Sequence, residues 1–479
     1  MKTWVFFLAA FAAVANATSV NLNHEREASI NTPIEGLEKR CVGGTGLPCT
    51  TGSDCCSSAC RTTQTLIPPI VTIVTPKGSH LRYLTILFMI WIFTLMLYPV
   101  EKQPYITTLS ACAGGFGIIT ALDILLLNPK QAADFMSGST TSNNRTTNKI
   151  TRFISIFRAA LEYQINARKI NTPREAKNTP SLPTYYAQGN GSKSIPRNKF
   201  LVRETAIAAW QYLVLDIATM PAVKMALSKQ QEHDISAPVH KPSPIEQLIE
   251  QVIVAIVAWL IISRILMSFY YRLIAVISVA LRLETPERYP PLFNKMADAY
   301  TLRNFWGKFW HQILRVNFTA VSNFIARDIL GLAKSSLLER YTNVFCVFFL
   351  SGVLHLTMDV IVLDCAVRES GSMVFFLSFV LGYMVEDGVQ AVWRKLQGSQ
   401  DAGSSGKEPE LWKKALGYVW VSTFLTVMSA VYFEPVRKRP ERQVGMIPWS
   451  VAEVIGVEVM GGLVVVGGVV LMVVFKVEV

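Results

Sequence analysis

The sequence predicts an all-α polytopic membrane protein, a bundle of about eight transmembrane helices. Three observations carry that expectation. Of the 479 residues, 51% are hydrophobic and only 17% charged, against about a quarter charged in ordinary soluble domains. Several uncharged apolar runs reach the roughly 20 residues that a bilayer crossing needs. The formal charge of +12 is scattered through the segments between those runs, which is the pattern of the positive-inside bias and not of a nucleic-acid groove. Nucleic acid is therefore excluded as a partner, and the lipid bilayer is the expected surrounding.

The first 65 residues do not match the rest. Met1-Lys2, an apolar core from Trp4 and Ala15-Asn16-Ala17 read as a signal peptide over residues 1–17. Residues 18–65 continue as a propeptide-like stretch ending at Lys39-Arg40, followed by Cys41, Cys49, the adjacent pair Cys55-Cys56, and Cys60. That spacing resembles the start of a small secreted knottin-like peptide, truncated before its sixth cysteine. Two readings stay open: a secreted-peptide exon joined to a membrane protein in the gene model, or a lumenal cap with an unpaired thiol. Neither gives residues 1–65 a part in catalysis. Cys112, Cys346 and Cys365 lie in apolar runs and read as small buried hydrophobes.

Residues 66–479 form the membrane body. Its expected spans are Leu81–Pro99, Thr107–Leu127, Thr205–Leu227, Val252–Leu283, Tyr341–Ala366, Met373–Trp393, Leu411–Phe433 and Val451–Phe475. Asp123 and Asn128-Pro129 mark an exit to water. Val252–Leu283 is longer than one crossing needs, so it is one tilted helix or two short spans broken around Tyr270-Tyr271-Arg272. Keeping the basic segments 128–204 and 284–340 on one side favours a single crossing. The basic loop Arg437–Arg442 then falls on the opposite side, against the bias. The sequons at Asn144, Asn190 and Asn317 sit in basic, cytosol-like surroundings and are expected to stay unmodified.

His355 lies near the middle of an apolar span, where an ionisable side chain is costly and marks a functional site by default. Histidine suits the base of an acyl transfer to a hydroxyl, because it is neutral near pH 7. Ser351 and Asp359 share its helix face one turn away on either side, and Asp359 is expected to orient the ring. His311, in the aromatic block with Trp306, Trp310 and Gln312, is placed to meet His355 from a surface loop. Arg303, Lys308 and Arg315 suit the phosphates of a nucleotide-bearing donor. Plainer readings stand beside these. The aromatic block equally fits an interfacial belt, the basic residues fit topology determinants, and Glu386-Asp387, deep in an apolar span where Glu386 reads as a supporting site residue, also fits a structural ion pair. No metal-ligand spacing, P-loop or dinucleotide fingerprint occurs, so no metal or bound cofactor is expected.

Leu302-Arg-Asn-Phe-Trp306-Gly-Lys-Phe-Trp310-His311-Gln312, followed by Phe349-Leu-Ser351-Gly352-Val-Leu-His355, resembles the paired signature of the wax synthase-like membrane-bound O-acyltransferases. Other matches run in the family's order: Asp123–Pro129, Lys177–Pro180 with Tyr185-Tyr186, Ala209–Tyr212, Glu287–Phe293 and Met384–Gly388. The resemblance covers residues 81–475 and is nearest to the fungal branch that acetylates secondary metabolites. It implies His355 as catalytic base with His311 as partner and acetyl-CoA as donor substrate. It also implies a lipophilic terpenoid or polyketide-type alcohol as acceptor, and a site in the endoplasmic reticulum membrane. Long-chain wax or sterol ester synthesis is the nearest alternative. A transporter or a non-catalytic membrane protein is the alternative of another class, although no paired repeats or broken helices are found. Ala167–Thr172 departs from the family by being less glycine-rich than its Arg-Gly-Ile-Gly-like loop, so a looser loop is expected there.

Overall fold

The computed structural model describes residues 66–96, 104–136, 149–186, 194–233, 257–363, 365–397, 409–439 and 449–477, with isolated positions between 243 and 255 and residue 447. The signal-like segment, the five clustered cysteines, Asn144 and Asn190 lie outside the described residues, as does the side chain of Cys112. The described residues contain helices and no strand. They divide into two compact units, the first ending in the chain at Ala167 and the second beginning at Arg168.

The first unit holds α1 (His80–Met96), α2 (Pro104–Leu122) and α3 (Lys149–Ile165). After α2 the chain widens into a π turn, Asp123–Leu127, which frees carbonyls at its end. Arg82, fully buried, donates to the carbonyls of Leu125 (3.2 Å) and Lys130 (2.8 Å) there, and also to that of Thr75 (2.9 Å) before α1. The helix ends at Asn128 as its Asn-Pro pair predicts. Asp123, however, does not reach water; it is buried and accepts from the Asn128 side-chain amide at 2.7 Å.

The second unit holds α4 (Arg197–His233), α5 (Arg264–Ala280), α6 (Arg315–Asn323), α7 (Leu337–Val362), α8 (Ser372–Gln397), α9 (Leu411–Tyr432) and α10 (Val457–Phe475). In chain order, α4 packs on α5, α7 on α6 and α8, α8 on α9, and α10 returns to α4. A π segment, Val257–Ser263, leads into α5, and α5 runs unbroken through Tyr270-Tyr271-Arg272. The break considered there does not exist. Among the described residues four helices are long and apolar enough to cross a membrane: Leu337–Val362, Ser372–Leu396, Leu411–Tyr432 and Val457–Phe475. His80–Thr94 and Ala113–Leu127 are shorter apolar helices.

Polar residues of α4 and α5 join helices of the second unit. Glu204 of α4 accepts from the Tyr186 hydroxyl (2.7 Å) and from Arg203 (2.6 Å), and pairs with Arg272 of α5. Asp216 caps the chain before α10, accepting from the Ser450 hydroxyl and from the N–H groups of Val451 and Ala452. Trp210 donates to the Val464 carbonyl at 2.8 Å. The Ala209–Tyr212 match is thus part of the α4–α10 joint. Asn317 is fully buried, which keeps that sequon from a glycosyltransferase.

Two features fix the part of the unit that carries the histidines. At the start of α7, the Ser336 hydroxyl accepts from the Glu339 N–H at 3.1 Å, a normal N-cap. At the start of α8, Gly371 lies so close to the end of α9 that a Cβ would stand 2.0 Å from the Val431 carbonyl oxygen. Only glycine permits that approach, and it brings Tyr432 against α7.

Candidate active site

The first motif is built outward from a cap. Thr301 has extended backbone, and its hydroxyl accepts from the Asn304 N–H at 3.0 Å. A short turn, Leu302–Asn304, then opens into the π turn Phe305–Phe309 and breaks at Trp310. Such widened turns gather at functional sites. Gln312 holds this one from below, donating to the carbonyls of Trp306 (3.1 Å) and Trp310. Arg315 clamps the same turn through the Gly307 carbonyl and the Gln312 side chain, each at 2.7 Å. His311 follows directly.

The aromatic block is not an interfacial belt. Phe305, Phe309 and Trp310 are buried in one core with Trp259, Phe375 and Phe379. Trp306 packs edge-on against Phe379 at 5.1 Å and lies 6.0 Å from Phe376. Phe376 in turn stacks on His355 at 4.7 Å. One continuous set of rings therefore joins the two motifs.

Glu386 suspends the first motif from α8. Its buried carboxylate accepts from the N–H groups of Leu302 and Arg303 and from Trp420 Nε1 (3.1 Å). Asp387 beside it pairs with Arg303 (3.0 Å) and Arg340 (2.9 Å) and accepts from the Tyr341 hydroxyl (2.6 Å). The acidic pair ties the first motif to α8, and Arg303 is engaged by a carboxylate instead of standing open to an anion.

The Ala167–Thr172 loop is tight despite its lack of glycine. Lys169 and Asn171 take left-handed backbone with φ of 52° and 59°, and Asn178 follows with 62°. Asparagine adopts left-handed backbone readily, so among these the strain falls on Lys169, and the loop is held by hydrogen bonds. Arg168 donates to the carbonyls of Pro290 and Pro291, both at 2.7 Å, and to the Tyr271 hydroxyl. The Asn178 amide donates to the Gly307 carbonyl (2.7 Å), while Asn294 donates to the carbonyls of Asn178 and Lys308. Arg168 so held is near enough to His311 to act on its charge.

Around the histidines the expected partners separate. The His355 Nδ1 and the Tyr432 hydroxyl are hydrogen bonded at 2.9 Å. Asp359 is turned away from the ring toward the start of α8, where it accepts from the hydroxyls of Ser370 and Ser372 (2.7 Å). Ser351 donates to the Val347 carbonyl of its own helix at 3.0 Å, so its proton is spent locally. Lys308 is exposed. Sequence reading missed Tyr432, Arg168 and Arg264. The Arg264 guanidinium lies over the rings of Phe293 (5.9 Å) and Phe309 (5.8 Å), and Phe293 touches His311 at 6.1 Å. No carboxylate pairs with Arg264 among the described residues.

His311 Nδ1 and Trp306 Nε1 are enclosed without a hydrogen-bond partner among the described residues. Burial first, then the neighbouring His355 and Arg168, pushes the His311 ring from 6.5 down to about 3, so it stays neutral across the physiological range. An unfolded histidine takes a proton near pH 6.5, whereas the folded one does not until about 3. His311 therefore costs no stability above pH 6.5 and an increasing amount as pH falls from there toward about 3. His311→Phe should flatten that limb in detergent-solubilised protein, losing less Tm than the parent between about pH 7 and about pH 5. An identical acid limb in both proteins would show that another group causes it.

Residues 289–378, which include both motifs, match the model of the membrane bound O-acyl transferase family. The acetyltransferase atnC of Arthrinium sp is 34% identical, the alignment covering 84% of this chain and 92% of the relative. Acetyltransferase pyr8 of Aspergillus fumigatus is 33% identical over 84% of this chain and 92% of its own length. Acetyltransferase TRI7 of Fusarium sporotrichioides is 33% identical over 66% and 71%. No solved structure matches the chain.

Proposed function

The chain belongs to the membrane bound O-acyl transferase family, and from that premise we propose that it moves an acetyl group from acetyl-CoA to a hydroxyl of a lipophilic terpenoid or polyketide-type metabolite. The observation that carries this reading is the His355 imidazole, held at Nδ1 by Tyr432 and stacked on Phe376, in the ring-lined core that also holds His311. The relatives' shared name of acetyltransferase supplies the acyl group. We assign catalysis to residues 66–479, in a bundle of about eight crossings, and place the enzyme in the endoplasmic reticulum membrane.

In the reaction, His355 takes the acceptor's hydroxyl proton as the oxygen attacks the thioester carbonyl carbon. A carbon–oxygen bond forms, the carbon–sulfur bond breaks, and the CoA thiolate leaves. The imidazolium returns its proton to that sulfur, giving an ester and the free thiol. Charge develops on the carbonyl oxygen meanwhile, and a preorganised donor there lowers the barrier. The unpartnered Trp306 N–H is the group suited to that task, and neutral His311 lines the same core. The aromatic surroundings exclude water, which protects the thioester from hydrolysis.

With Arg303 committed to Asp387, the donor's phosphates fall to Lys308, Arg315 and Arg264. Arg264 is the strongest candidate, because a cation in an apolar span without a carboxylate partner is costly unless a ligand uses it. Microsomes carrying the full chain, given radiolabelled acetyl-CoA or a long-chain acyl-CoA with a panel of terpenoid and polyketide alcohols, test the reading. Acetyl transfer is expected; transfer of only the long chain would replace it with wax or sterol ester synthesis. Arg264→Gln should raise the KM for acetyl-CoA about 10-fold, the loss of one charge-assisted contact. It should leave the KM for S-acetyl-N-acetylcysteamine, which lacks phosphates, unchanged. Equal effects on both donors would remove Arg264 from phosphate binding.

A further inference from the structure

The two ring nitrogens of a histidine cannot both be free to accept a proton. A neutral imidazole carries one N–H, and the hydrogen bond made by one nitrogen decides whether the other is a base. Among the described residues, His355 is hydrogen bonded through Nδ1 to the Tyr432 hydroxyl. The nearby carboxylate that could have done this work, Asp359, is already occupied by two serine hydroxyls.

We propose that Tyr432 is a positioning residue which accepts a hydrogen bond from His355 Nδ1–H, so that the lone pair on Nε2 is the one presented to the acceptor hydroxyl. The inference rests on His355 being the base. Three contacts set where Tyr432 stands. Its ring packs on Phe375 at 4.7 Å. One turn earlier on α9, the Ser429 hydroxyl accepts from Trp259 Nε1 at 2.6 Å. The preceding residue, Val431, is the one that Gly371 admits to close range. All three fix the ring or the backbone, and none uses the Tyr432 oxygen.

The oxygen also matters after proton transfer. When Nε2 takes the acceptor's proton the ring becomes a cation, and a hydrogen bond from a charged donor is stronger than one from a neutral donor. The Tyr432 oxygen thus holds the ring in place beforehand and steadies it in the transition state, without touching substrate. A contact that strengthens only there acts on kcat and not on KM.

Tyr432→Phe keeps every ring contact and removes only the oxygen. In the microsomal acetyl-CoA assay it should lower kcat on the order of 10- to 100-fold, with KM for donor and acceptor unchanged and protein level equal to the parent. Unchanged kcat would overturn the proposal, and so would a rise in acceptor KM at constant kcat, which would make the hydroxyl a substrate contact. His355→Ala, measured alongside, separates the two ideas: an active His355→Ala removes the base itself, whereas an inactive one with a fully active Tyr432→Phe removes only the role of Tyr432. Should the phenylalanine variant fold poorly, 3,5-difluorotyrosine at position 432 preserves shape while weakening the oxygen as an acceptor. A lower kcat supports acceptance from Nδ1–H; an equal or higher kcat means the phenol donates to Nδ1, and overturns the proposed tautomer.

Discussion

His355→Ala is expected to abolish acetyl transfer, a loss on the order of 10³-fold or more for a general base, with membrane insertion intact. The substitution removes a ring stacked on Phe376 and hydrogen bonded to Tyr432. The helix that carries it is otherwise long and apolar, so insertion does not depend on the imidazole. Alkaline extraction of microsomes measures insertion, and label in the organic phase measures transfer. Full insertion with no ester isolates the chemical role. Retained transfer would reject His355 as the base.

Glu386→Leu is expected to cost both stability and activity. The carboxylate accepts from two backbone N–H groups of the first motif and from the Trp420 indole. Leucine leaves all three donors without a partner in a buried place, at about 1–3 kcal/mol each when nothing relaxes. A net loss of about 3 kcal/mol is expected once the loop shifts to find water. Because that turn continues into Trp306 and His311, activity should fall with it. Glu386→Gln retains one acceptor oxygen and should lose less of both. Thermal unfolding in detergent, read beside the transfer assay, checks the pair. Parental Tm and activity in the leucine variant would mean the loop is held by Asn178, Asn294 and Arg315 alone.

The histidines and Glu386 stand out in the sequence for one reason: each is a polar group in apolar surroundings, where its cost demands a use. Asp216, which the sequence did not single out, joins α4 to the start of α10. That logic could not rank partners. Asp359 has the right spacing from His355 along α7, but the serines that open α8 claim it, and helical spacing carries no information about a neighbouring helix. Tyr432 gave no signal at all, since a tyrosine at the end of an apolar span is what an interfacial belt provides. Arg168 and Lys169 misled in the opposite direction. Missing glycines suggested a loose loop, whereas hydrogen bonds to Pro290, Pro291 and Gly307 hold Lys169 in a backbone conformation it would not choose.

The attachment of the first motif to α8 also sets an order of assembly. Leu302 is fastened by a residue 84 positions later, and His355 meets Tyr432 77 positions after itself. Contacts so distant in sequence form late, after the chain that separates them has been made. During translation, a ribosome that has finished α7 has already delivered both histidines, yet the clasp from Glu386 and the phenol of Tyr432 are still to come. The half-made protein holds its reactive groups unaligned. A chain interrupted after α7 therefore lacks both the carboxylate that fastens Leu302 and the phenol bonded to His355.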